Sequence, residues 1–292
     1  MCDQDSFHDM LEHLKRNDAL TRRRFGALSV GAGLLAALPR PVNAAEVVEQ
    51  EVEIKTSDGV ADAHFVHPAQ GKAPAVLVWT DIFGLRPAFR QMGRRLAESG
   101  YAVLTPNPFY RTRRAPTTAP GANLQDEATR NAVMAMARTL SPETHVSDAQ
   151  AFIGWLDGQA AVDSQRKMGT TGYCMGGAIV MRTAGNFPDR VGAGAAFHSG
   201  PLVTDKPDSP HLLVPKMKAH LLIAIAANDD ERDPNAKRVL RETCDQAKVP
   251  AEIEVYAGTK HGWCPPDAAV YDETQAERAW QRLLVTLRAG VS

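Results

Sequence analysis

The chain has 292 residues, 44% of them hydrophobic and 23% charged, with a formal net charge of -1. That composition argues against a disordered or fibrous chain. The balanced charge, with no basic stripe along any helix, argues against a nucleic-acid partner or binding to an anionic membrane surface.

In chain order, the first signal is Thr21-Arg22-Arg23-Arg24-Phe25, paired arginines set before an apolar run that ends at Leu38. The run is shorter than the roughly 20 apolar residues a bilayer span needs. It is followed by Val42-Asn43-Ala44, a small-x-small cleavage pattern. These features predict a twin-arginine signal over residues 1–44 and recognition by the twin-arginine export machinery. They also predict a periplasmic or secreted product with no stable membrane association after cleavage. Removal after Ala44 leaves 292 − 44 = 248 residues, 45–292, enough for one large α/β domain. Of four cysteines, Cys2 leaves with the leader, and the remaining Cys174, Cys244 and Cys264 are odd in number, which excludes a fully paired disulfide framework.

Two runs, 51–56 and 61–67, flank Ser57-Asp58-Gly59 and read as an antiparallel hairpin. The continuous apolar run 73–79 predicts a strand buried on both faces. Phe89, Met92 and Leu96 share one helical face, with Gly100 as stop signal, and the buried strand 101–104 follows. The proline- and arginine-rich stretch 106–124 reads as a long loop of the kind that covers or binds substrate. A helix is expected over 147–156, then strands over 167–172, 193–197, 220–227 and 251–256. Further helices are expected over 237–247 and around Trp280, Leu283, Leu284 and Leu287. Alternating strands and helices after a hairpin predict an α/β fold, a mostly parallel sheet with helices on both faces.

The motif with the most chemical content is Gly172-Tyr173-Cys174-Met175-Gly176-Gly177. It has the glycine-x-nucleophile-x-glycine form of a nucleophile elbow, where a strand turns sharply into a helix and leaves the nucleophile at the tip. Cysteine stands where serine is commoner. Its backbone neighbour Met175 would offer an N–H to an oxyanion at the helix N-terminus. In this architecture the acid and the histidine follow later strands. Asn228-Asp229-Asp230-Glu231-Arg232-Asp233-Pro234 follows one, and His261-Gly262-Trp263 follows the next. His261 is the expected base. Asp230, four residues before Pro234, is the expected acid, and Asp229 stays open as the alternative.

Together with Asp81-Ile82-Phe83-Gly84, these motifs resemble the dienelactone hydrolase (carboxymethylenebutenolidase) family from about Glu51 to the C-terminus. The resemblance implies an α/β-hydrolase fold and a Cys-His-Asp triad that cleaves a small-molecule ester or lactone through an acyl-thiol intermediate. No cofactor and no metal are implied. By position, Ile82 becomes the second oxyanion donor and Asp81 the acid contacting the thiol; the substrate-carboxylate arginine falls near Tyr110-Arg111-Thr112-Arg113 without a clean match, with Arg111 the best candidate. Three departures stand out: Asp81 replaces a glutamate, Pro265 stands four residues after His261 where the family carries an arginine, and the other carboxylate-binding arginine is displaced. A periplasmic binding or redox-sensing protein that reuses the fold, with Cys174 as a reactive thiol, is the other expectation.

Overall fold

A computed structural model describes residues 38, 39, 41 and 44–291. The paired arginines, nearly all of the apolar run and Val42-Asn43 of the cleavage pattern lie outside the described residues. Strands β1 (Val47–Thr56) and β2 (Gly59–Pro68) are followed by β3 (Ala75–Trp79), β4 (Ala102–Pro106) and β5 (Met168–Tyr173). Then come β6 (Val191–Phe197), β7 (His220–Ala226) and β8 (Ala251–Tyr256). They form one sheet in the order β1-β2-β4-β3-β5-β6-β7-β8. The β1-β2 and β2-β4 pairs are antiparallel and the rest parallel.

The expected hairpin is present. Its register sets Thr56 opposite Gly59, so Ser57 and Asp58 form the turn and Gly59 takes a φ of +140° that glycine adopts without strain. β3 shows why a continuous apolar run is needed inside such a sheet. Ala75, Leu77 and Trp79 enter one core, and Val76 and Val78 enter the other.

Helices cover both faces. Phe89 and Leu96 of α1 (Pro87–Glu98) and Trp280, Leu283 and Leu287 of the C-terminal helix (Glu273–Gly290) join Val76 and Val78. On the opposite face, Phe152, Ile179, Val180, Leu240 and Cys244 join Leu77 and Trp79. They come from three helices spanning Pro142–Asp157, Met175–Asn186 and Ala236–Ala247. With α2 (Glu127–Ala137) and the short α5 (Ala227–Arg232) included, these helices are α3, α4, α6 and, for the C-terminal one, α7.

Two elements differ from expectation. Helix α2 was not expected, because only Val133, Met136 and Ala137 of its residues are buried and the apolar stripe is too thin to give a clear period. Its start is fixed locally instead, by the Asp126 carboxylate accepting the Thr129 N–H at 2.7 Å. Residues 227–232, expected as loop, form the single helical turn α5.

As an edge strand, β8 pairs only with β7 among the described residues. It carries Glu252 and Glu254, which pair with Arg282 and Arg278 of α7, so charge guards the exposed edge. No helix among the described residues is long and apolar enough to cross a membrane. The strand order, the parallel core and the sharp β5-α4 connection are those of an α/β-hydrolase fold.

Candidate active site

Cys174 lies between β5 and α4 with φ 55° and ψ -117°, a conformation that costs a side-chain-bearing residue free energy. The surroundings over-determine it. Its N–H donates to the Phe197 carbonyl at 3.1 Å, and its carbonyl accepts from the N–H groups of Gly177 and Gly200. The motif glycines are steric necessities here. A methyl on Gly172 would lie 2.3 Å from the Gly176 carbonyl oxygen, and one on Gly176 would lie 2.6 Å from that of Trp79. A methyl on Gly177 would lie 1.6 Å from the Ser199 hydroxyl oxygen. The Gly176 contact matters for chemistry, because it lets the end of β3 ride against the first turn of α4. The side chains of Ile82 and Met175 enter one small core with Phe109 and Met136. The N–H groups of Ile82 and Met175 have no acceptor among the described residues. Donors held in this way are what an oxyanion site needs.

His261 follows β8. Its Nδ1 lies 2.7 Å from the Asp229 carboxylate, and its N–H donates to the Asn228 side-chain oxygen at 2.8 Å. Thr259 adds a further tie, since its hydroxyl accepts the Ala227 N–H at 3.3 Å. The loops after β7 and β8 are therefore laced together on both flanks of the histidine. Burial by itself would lower the proton affinity of His261. The charges and hydrogen bonding of Asp229 and Cys174 together outweigh it, and the ring is held well above its ordinary range.

The carboxylate that meets His261 is that of Asp229, the alternative left open, and not that of Asp230. Successive residues of a helix point about 100° apart, so in α5 only one of the two can face β8. Asp229 does, and is 8% exposed. Asp230 turns toward α6 and pairs with Lys237 at 2.6 Å. Arg232 holds the second oxygen of Asp229 at 3.0 Å.

Two other expected roles are corrected. The Asp81 carboxylate is engaged by two Arg86 nitrogens, at 2.6 and 2.9 Å, and by the Phe83 N–H at 2.9 Å, rather than by the thiol. One methylene shorter than glutamate, it folds back on its own turn. Arg111 does not face a substrate carboxylate. Its guanidinium donates to Asp58 at 2.6 and 2.8 Å and to buried Asp148 at 2.7 and 2.8 Å, pinning the β1-β2 turn to α3. Tyr110 donates its hydroxyl to the same Asp148 at 2.8 Å.

Asn228 and His198 escaped the sequence reading. Nothing distinguishes Asn228 in sequence from a polar loop residue. His198, at φ 37°, is fully buried, with its ring centroid 5.2 Å from that of His261 and 5.1 Å from that of Trp263. Burial, reinforced by the His261 charge, pushes its proton affinity well down, so it packs as a neutral ring. Burial raises Cys244 to about 11 and Cys264 well above its usual value.

The family model described as the dienelactone hydrolase family matches residues 61–290. A protein of Methylorubrum extorquens is 28% identical over 292 residues, covering 95% of this chain and 96% of its own length. The carboxymethylenebutenolidase of Rhodococcus opacus is 26% identical over 242 residues, covering 79% of this chain and 88% of the relative. Among solved structures, a dienelactone hydrolase-like promiscuous phosphotriesterase from metagenomic libraries superposes with a TM-score of 0.70 at 20% identity. That match covers 84% of this chain and 99% of the other, a likeness of fold.

Proposed function

The chain belongs to the dienelactone hydrolase family, whose members act on ester or lactone bonds, and on that premise we propose that it cleaves them through an acyl-thiol intermediate on Cys174. The observation that carries this reading is His261 paired through Nδ1 with Asp229, its Nε2 free and the ring near enough to the strained Cys174 to feel its charge. In the proposed reaction His261 takes the thiol proton and the sulfur attacks the carbonyl carbon. The oxyanion that forms accepts from the N–H groups of Ile82 and Met175. Collapse expels the alcohol, which takes the proton from His261. Water, deprotonated by the same ring, then releases the acid and restores the thiol.

The substrate we propose is an uncharged ester or lactone. Arg111 makes four hydrogen bonds to Asp58 and Asp148, and Pro265 stands where the family places a second cation. A substrate carboxylate entering this site would lose its hydration without gaining either arginine. A neutral aryl ester is accordingly expected to be hydrolysed at least about tenfold faster, in kcat/KM, than its carboxylated analogue, a difference of about 1.4 kcal/mol in transition-state binding. Preference for the carboxylated ester in steady-state assays would overturn this assignment.

Export by the twin-arginine route is part of the same proposal, supported by Arg22-Arg23, the apolar run and Val42-Asn43-Ala44. N-terminal sequencing of the protein from a periplasmic fraction is expected to begin at Ala45. Recovery of only the full-length chain in the cytoplasm would count against it.

A further inference from the structure

Arg86 makes a contact that joins two parts of the site far apart in sequence. Its Nη1 and Nη2 fork onto Asp81 at 2.6 and 2.9 Å, and its Nε and Nη2 fork onto Asp267 at 2.6 and 3.0 Å. The remaining Nη1 hydrogen reaches the Gly84 carbonyl at 3.4 Å. Every donor of the guanidinium is used. The plane also lies over the rings of Phe83 and Phe89, at 5.5 and 4.9 Å. Arg86 occupies the N-cap position of α1 without capping it, where the helix dipole disfavours a cation, so the two carboxylates and not the helix keep it there. The two carboxylates belong to different functional loops. Asp81 opens the turn that carries Ile82, and its own oxygen also accepts the Phe83 N–H. Asp267 lies in the segment that follows His261. From the opposite side, the Thr117 hydroxyl donates to the Phe83 carbonyl at 3.0 Å.

We infer that Arg86 is a positioning residue for hydrolysis: by clasping Asp81 to Asp267 it fixes the Ile82 peptide, the second oxyanion donor, relative to the loop of the catalytic histidine. This rests on the oxyanion role proposed above for Ile82. A guanidinium can fork onto two carboxylates at once, whereas an ammonium is a point charge that cannot. The charge alone therefore does not suffice. A donor displaced from the oxyanion loses its effect in the transition state and not in substrate binding.

Three variants test this: Arg86→Gln, Arg86→Lys and Asp267→Asn. The last leaves the Arg86–Asp81 fork intact and alters a partly exposed side chain, so it serves where the arginine variants are poorly folded. Arg86→Gln and Arg86→Lys are expected to lower kcat on a neutral aryl ester by about 10–100-fold with KM within about threefold. Asp267→Asn is expected to lower it less, and to add nothing to Arg86→Gln. Amide hydrogen exchange over residues 81–85 is expected to quicken in Arg86→Gln and Asp267→Asn, with exchange over 175–186 unchanged. Unchanged exchange over 81–85 would overturn the clasp whether or not the protein turns over ester. Faster exchange with unaltered kcat would overturn its catalytic consequence, and a rise in KM alone would make Arg86 a substrate-binding residue instead. Failure of the Cys174 reading looks different: turnover would be absent in the wild type or retained without the thiol, while exchange still reports on the clasp.

Discussion

Hydrolysis of a neutral aryl ester is expected to fall by about 10⁴-fold or more in Cys174→Ala, with kcat carrying the loss. Without sulfur no covalent intermediate forms, and water must attack the ester directly. What survives is the contribution of the oxyanion donors and of binding. The substitution is a fair test because alanine keeps the β-carbon. The backbone strain at φ 55° is then the same in both proteins, and only a small, nearly buried sulfur is removed. A melting temperature within a few degrees of the wild type should accompany the lost activity. Steady-state assays of the two proteins side by side check the result. Turnover retained by the alanine variant would remove Cys174 from the mechanism. No turnover in either protein, together with sulfenic acid formation at Cys174, would favour a sensing thiol.

The second large effect separates two neighbouring carboxylates. Asp229→Asn is expected to lower kcat about 10³-fold, and Asp230→Asn less than about fivefold. Asp229 accepts a hydrogen bond from His261 Nδ1, which leaves Nε2 free to take the thiol proton. An asparagine amide at this position favours the opposite tautomer, with its N–H donating to an unprotonated Nδ1 and the proton carried on Nε2. The base is then lost although the ring stays in place. Asp230 holds only Lys237, at a partly exposed site where an ion pair contributes about 1 kcal/mol or less. Kinetics of the two variants decide between the residues. Equal losses, or a larger loss at Asp230, would show that the ring is oriented differently during turnover.

Periodicity and glycine placement carried much of the architecture. β3 reads as an apolar run because both its faces are covered, and β8 agrees with the expected strand 251–256 residue for residue. The elbow was legible because Gly172, Gly176 and Gly177 answer steric demands only a few ångströms wide, and such demands leave a motif. Asp229 was not legible, since facing direction within one helical turn depends on where the turn starts, and a short run of acidic residues gives no phase. Asp81 and Arg111 failed for a related reason. A charged residue near a site is read as serving it, whereas its partners are distant in sequence: Asp267 beyond Arg86, and Asp58 and Asp148 around Arg111. Helix α2, with its thin buried stripe, gave no period to read.

The position of β8 at the sheet edge has a consequence for the order in which the enzyme is built. The nucleophile, acid and base proposed above are residues 174, 229 and 261, and the base follows a strand whose single sheet neighbour among the described residues is β7. During synthesis the elbow emerges long before its histidine. The nascent sheet through β7 therefore holds a thiol without a general base. Competence arrives only when β8 docks on β7 and α7 closes over it, one of the last steps available to a chain made from its N-terminus. Chemistry thus switches on late in biosynthesis, so gain of turnover during refolding would report completion of the sheet edge rather than collapse of its centre.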